Sequence, residues 1–136
     1  MVSVLDGVRL IDVPTLRDDR GALSVIEAGQ CVPFAVKRVF YMHHMTAERG
    51  GHAHRDTEQC VLALAGSLRL DLTDGRRTLS VRLDDPARGL YMPPMVFVDI
   101  RDISPDAVCL VLAGTHYDMG RSIRSLAEYL DAAAGK

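Results

Sequence analysis

The stretch CVLALAGSLRLDLTDGRRTLSVRL, residues 60–83, decides the fold. It holds three short apolar runs, at 60–65, 67–73 and 77–83. Gly66 separates the first two, and Asp74-Gly75 stands between the second and third. In the middle run Leu68, Leu70 and Leu72 alternate with Arg69 and Asp71. A period of two puts one kind of side chain on each face of a strand. Asp-Gly between two such runs is a hairpin signal, because both residues accept the positive φ that a tight turn needs.

Working outward, residues 8–13, 22–27, 35–43, 89–92, 96–101 and 107–114 read as further strands, with a turn at 17–21. Many short strands at near-regular spacing indicate a sandwich or barrel, not a parallel α/β sheet. Helix is expected only at the end, where Ile123, Leu126, Ala127 and Leu130 have helical spacing and predict a helix over 122–134, with 135–136 as a frayed end. With 136 residues the chain is expected to form one domain, 1–136, able to bury a core without disulfides.

Composition narrows the function classes. The formal net charge is −2, from 16 basic and 18 acidic residues. No basic excess calls for nucleic acid or an anionic membrane. Cys31, Cys60 and Cys109 are odd in number and widely spaced, and no CxxC pair exists. That argues against a thiolate zinc knot and for free thiols in a reducing cytoplasm, with Cys60 and Cys109 as small core residues. The start, MVSVLDGVRLIDV, lacks the basic and apolar regions of a signal peptide. No apolar stretch approaches the length of a membrane span.

Chemistry concentrates at Gly51-His52-Ala53-His54, with Glu58 four residues on. Two imidazoles two residues apart on a strand share a face. They can ligate a metal or move protons near neutral pH, or they can be ordinary polar strand residues. The HxHxxxE pattern, with Gly66 beyond it, resembles the first motif of cupins, which are double-sheet jelly rolls. In metal-dependent cupins a later strand, shortly after a proline, brings one more histidine. The matching stretch here is Pro93-Pro94-Met95-Val96-Phe97-Val98, so valine stands where that ligand is expected. His52, His54 and Glu58 then remain as a two-histidine, one-carboxylate set able to hold iron.

A second resemblance runs along nearly the whole chain. It rests on Asp19-Arg20-Gly21 with Leu23 and Glu27, Pro33-Phe34, Lys37-Arg38-Val39, Arg49-Gly50, His52-Ala53-His54, Gln59 and Gly66-Ser67. It continues through Asp74-Gly75, Pro86, Gly89-Leu90-Tyr91, Pro93-Pro94, Asp102, Ser104, Tyr117-Asp118 and Ile123-Arg124. In this order and spacing the sequence resembles the WxcM-like cupins, the nucleotide-sugar 3,4-ketoisomerases acting on dTDP-4-keto-6-deoxyglucose.

The resemblance implies an all-β, cupin-type jelly-roll double-sheet barrel with a short C-terminal helix. It implies a metal-independent isomerase, without cofactor, that moves a ketone from sugar carbon 4 to carbon 3 through an enediol in deoxysugar biosynthesis. It also implies a homodimer that exchanges N-terminal strands. On this reading His52 and His54 transfer protons and Tyr41 stands on a strand able to face the same pocket. Arg20, Arg38 and Arg49 are the candidates for the diphosphate, with Glu58 and Gln59 as further binding residues. A metal-dependent cupin using His52, His54 and Glu58, and a non-catalytic or repurposed ligand-binding cupin, are the alternatives.

Three departures stand out. The family's Trp-His pair is Phe97-Val98 here, its Asp-Phe-Ser is Asp102-Ile103-Ser104, and its Asp-Tyr-Ile-Arg is Arg121-Ser122-Ile123-Arg124. His43 or His44, of which a strand can turn only one inward, is a candidate to fill the space left at Val98.

Overall fold

The computed structural model describes residues 5–117 and 122–134. Among them the strands are β1 (Arg9–Asp12), β2 (Thr15–Asp18), β3 (Gly21–Ser24), β4 (Arg38–Met42), β5 (Arg49–His54) and β6 (Gln59–Ala65). They continue as β7 (Leu68–Thr73), β8 (Thr78–Leu83), β9 (Arg88–Met92), β10 (Phe97–Arg101), β11 (Val108–Ala113) and β12 (Ser122–Ile123), and α1 (Leu126–Ala134) closes the chain. Five strands form one sheet in the order β1-β9-β6-β11-β4, and five form the other in the order β12-β5-β10-β7-β8. β2 and β3 pair as a separate hairpin. All these pairings are antiparallel. After β4 the chain crosses from sheet to sheet repeatedly, which makes the jelly-roll double sheet.

The core lies between the sheets. β7 shows the rule: Leu68, Leu70 and Leu72 are buried inward, while Arg69 and Asp71 bond to each other outside at 2.9 Å. At the β7–β8 turn the Asp74 carboxylate accepts the backbone N–H groups of Arg76 (2.9 Å) and Arg77 (2.8 Å), which hold its pKa below the usual range. β6 is buried on both faces over Gln59 to Ala63. Its Val61 and Ala63 join the inner core, and its Cys60 and Leu62 join a second cluster with Ile11, Val13, Val32, Phe34 and Tyr91. Burial pushes the Cys60 and Cys109 thiols up to about 12, as suits small core residues.

Several expectations shift. The turn at 17–21 shrinks to Asp19-Arg20, because Thr15–Asp18 pairs with Gly21–Ser24. The strand expected at 22–27 ends at Ser24, and the one at 35–43 begins at Arg38 and ends at Met42. The helix expected at 122–134 starts at Leu126. Ser122 and Ile123 pair instead with His54 and Ala53 of β5, because Ile123 fills a fully buried site beside Ala53, Phe97 and Tyr129. Ser125 caps the helix, its Oγ accepting from the N–H of Glu128 at 3.1 Å. The helix packs through Tyr129, Ala132 and Ala133, whereas Leu126 and Leu130 are exposed. The expected frayed end at 135–136, together with Asp118 and Arg121, lies outside the described residues. Among the described residues no helix is long and apolar enough to cross a membrane.

Candidate active site

β5 is aimed by a local irregularity. Gly50 has φ +105°, and a Cβ there would come within 2.8 Å of the Asp99 Cα and the Val98 carbonyl oxygen. Only glycine fits so close to the neighbouring strand. Opposite it, β10 carries a bulge between Val98 and Asp99. Beyond this bend the side chains alternate. Ala53 turns to the outer cluster under α1, while His52 and His54 turn into a cavity of about 610 Å³ between the sheets. The two rings stand edge to face, 5.3 Å between centroids.

The cavity has a polar wall and an apolar floor. Val61, Leu70, Met92, Val98 and Ile100 form part of the floor. Arg38, Arg49 and Arg124 bring three cations, and among the described residues no carboxylate pairs with any of them. The Arg38 guanidinium lies over the rings of Phe40 (5.2 Å) and Tyr117 (5.5 Å). Its Nε is buried without a hydrogen-bond partner among the described residues, as is the Nε2 of His54. Glu48 also lines the cavity, but its carboxylate is held by Arg101 at 2.8 Å.

Both histidines are kept neutral. Burial is the largest cause at each. His54 is pushed down to about 4, helped by His52, Arg38 and Arg124. His52 moves the same way, with Arg124 and Arg49 adding to burial against the opposing Gly50 backbone bond and Asp99. Two neutral imidazoles beside guanidinium groups that pair with no carboxylate among the described residues suit a ligand that carries both negative charge and an exchangeable proton.

The candidate residues separate accordingly. His52, His54, Arg38, Arg49 and Gln59 line the cavity. Tyr41 does not: it is 62% exposed on the outer face of β4, because Arg38, Phe40 and Met42 take the inner face. Glu58 is also turned away. It has the parity of Cys60, not of Gln59, and accepts a 2.5 Å hydrogen bond from the Tyr91 hydroxyl. Burial and that bond push the Tyr91 pKa up to about 12. The ligand set His52, His54 and Glu58 is therefore not assembled, and the described residues form no cluster of three or more such donors. Arg20 sits at the hairpin tip, 87% exposed and bonded to Asp18 at 2.6 Å. His43 and His44 lie just past β4, both exposed and 2.6 Å apart between Nδ1 atoms. Neither reaches the cavity or the space beside Val98.

Ser122 and Arg124 are cavity residues that sequence reasoning did not assign to the site. Their signal was the Ile123-Arg124 piece of the whole-chain pattern, masked by the helical spacing around it.

A jelly roll with two inward histidines on one strand and a cationic cavity wall defines a cupin-type small-molecule site. Residues 6–134 match the family described as FdtA: WxcM-like, C-terminal, and the chain belongs to that family. It is 41% identical over 118 residues, 85% of each chain, to the TDP-4-oxo-6-deoxy-alpha-D-glucose-3,4-oxoisomerase of Aneurinibacillus thermoaerophilus. Among solved structures it is similar to QdtA, a sugar 3,4-ketoisomerase from Thermoanaerobacterium thermosaccharolyticum in complex with TDP. There the TM-score is 0.93 at 34% identity, covering 97% of this chain and 98% of that one. A histidine-to-asparagine variant of QdtA in complex with TDP-4-keto-6-deoxyglucose superposes with a TM-score of 0.94 at 32% identity, covering 98% of each chain.

Proposed function

We propose that this chain is a TDP-sugar 3,4-ketoisomerase of deoxysugar biosynthesis, acting on a 4-keto-6-deoxysugar without metal or cofactor. One observation carries the reading: paired neutral histidines, His52 and His54, share a cavity with Arg38, Arg49 and Arg124, cations that no carboxylate among the described residues pairs with. The reaction needs both. Removing the hydrogen from carbon 3 and placing a proton on the carbon 4 oxygen gives the 3,4-enediol. Taking the proton from the carbon 3 oxygen and returning one to carbon 4 gives the 3-ketone. Every proton removed is replaced, so imidazole acids and bases suffice. The guanidinium groups bind the diphosphate and stabilise charge that develops on the enediolate. The apolar floor suits a sugar carrying a methyl group at carbon 5. Relatives that are TDP-sugar 3,4-ketoisomerases support the substrate class.

The working unit on this reading is a homodimer in a reducing cytoplasm. The β2–β3 hairpin is exposed on both faces, with Leu16 at 69% and Leu23 at 60%. A lone two-stranded hairpin is marginal in water, so a second copy covering it by strand exchange accounts for its apolar residues. β4 is an open sheet edge with Val39 and Tyr41 exposed, a surface where such a hairpin can dock.

Incubation with TDP-4-keto-6-deoxyglucose in deuterated water tests the activity. The expected result is a 3-keto isomer with deuterium at carbon 3 of the recovered substrate or carbon 4 of the product. Folded protein that yields neither isomer nor exchange overturns the reading.

A further inference from the structure

Resting on that reading, we propose that Ser122 is a positioning residue for His54: its Oγ accepts the Nδ1 proton of the imidazole and leaves Nε2 as a proton acceptor for the sugar.

The ladder sets the contact. Ser122 is the direct partner of His54 across β12 and β5, and its Oγ lies 3.5 Å from Nδ1. Both side chains line the cavity. The separation is long for a hydrogen bond, as proton-transfer contacts often are before substrate closes on them. Nε2 is buried and has no partner among the described residues, so it is the ring nitrogen left for a ligand.

The surrounding charge is consistent with this tautomer. Arg38 and Arg124 line the cavity with His54, and both oppose a positive charge on its ring. Cations favour a lone pair facing them and disfavour an N–H. A proton on Nδ1 meets the Ser122 Oγ as a hydrogen-bond acceptor, and the lone pair is left on Nε2, unpartnered among the described residues. In a neutral imidazole the bond made by one nitrogen decides what the other presents.

The position is braced from behind. Ile123, next to Ser122, is fully buried with Ala53, Phe97 and Tyr129. The Tyr129 hydroxyl directs its proton between the carbonyls of Met95 (2.8 Å) and Thr73 (3.1 Å). The Met95 N–H in turn donates to the backbone carbonyl of His54 at 2.7 Å. Helix α1 thus ties the strand that carries Ser122 to the strand that carries His54.

Protein labelled with 15N-histidine tests this at about pH 7.5, where His54 is neutral. Long-range proton–nitrogen couplings report which nitrogen holds the proton. The expected result is Nδ1–H in the intact chain and in Ser122→Thr, with loss of that preference in Ser122→Ala. On the keto-sugar, Ser122→Ala is expected to lower kcat about tenfold with KM little changed, and Ser122→Thr to restore most of it. An Nε2–H tautomer in the intact protein, or a tautomer unmoved in Ser122→Ala, overturns the proposal. The tautomer decides it whether or not the keto-sugar is turned over, so failure of the isomerase reading registers separately.

Discussion

At the residue scale the site depends on keeping two imidazoles uncharged in the company of guanidinium groups. His52→Asn keeps the shape and some hydrogen bonding of the side chain but cannot carry a proton. It is expected to lower kcat by about 10²- to 10⁴-fold while leaving circular dichroism and thermal melting near those of the parent. The depressed pKa of His54, about 4, also has a direction in pH. Below the ordinary value of 6.5 the unfolded chain takes up a proton that folded His54 refuses until about 4. Stability therefore falls as pH drops through that window and is fully retained above it. Urea unfolding at several pH values should show this slope, and His54→Gln should flatten it. Turnover has the same sign: the acid limb of kcat/KM is expected below the usual histidine range. Val98 lies directly across the ladder from His52 and is 5% exposed. On the proposed reading, a change from the family's polar residue to an apolar one there leaves proton transfer to the two β5 histidines.

At the element scale the decisive piece is the bend at the start of β5. Gly50→Ala places a methyl against the backbone of β10 at a φ that alanine resists. A loss of about 2–4 kcal/mol is expected, read as a lower thermal midpoint, together with a fall in kcat as His52 is re-aimed. How well each strand could be read depended on contrast between its faces. β7 alternates leucine with charged residues, so its inward face was plain. In β4 Val39 and Tyr41 face out while Phe40 and Met42 face in, and both faces are apolar. Period-two reasoning locates such a strand without telling which side is the cavity, so the side that Tyr41 takes is not legible in it. Glu58 failed differently. Residues 55–58 form the turn between β5 and β6, so spacing from His54 carries no parity across it. Ile123 has helical spacing to Ala127 and Leu130, which predicts helix at Ser122 and Ile123, although the burial of Ile123 comes from a strand pairing.

For the whole molecule, the two sheets account for the core but leave the β2–β3 hairpin uncovered. Light scattering is expected to give the mass of a dimer, and Leu16→Asp with Leu23→Asp is expected to give a monomer that keeps its circular dichroism. A parent protein that is monomeric at micromolar concentration would rule out the exchanged-strand dimer. The sequence by itself determined the all-β class, the Asp-Gly hairpin, the paired histidines of β5 and the likeness to sugar isomerases. These are properties of local period, turn chemistry and motif order, each carried by residues close together in the chain or in a set succession. Only the tertiary structure decided that Glu58 bonds Tyr91 outside the cavity, that Tyr41 faces away, and that Ser122 and Arg124 join the histidines. Those outcomes depend on which strands become neighbours and which sheet face closes on the core. They are set by burial summed over contacts distant in sequence, which no local pattern encodes.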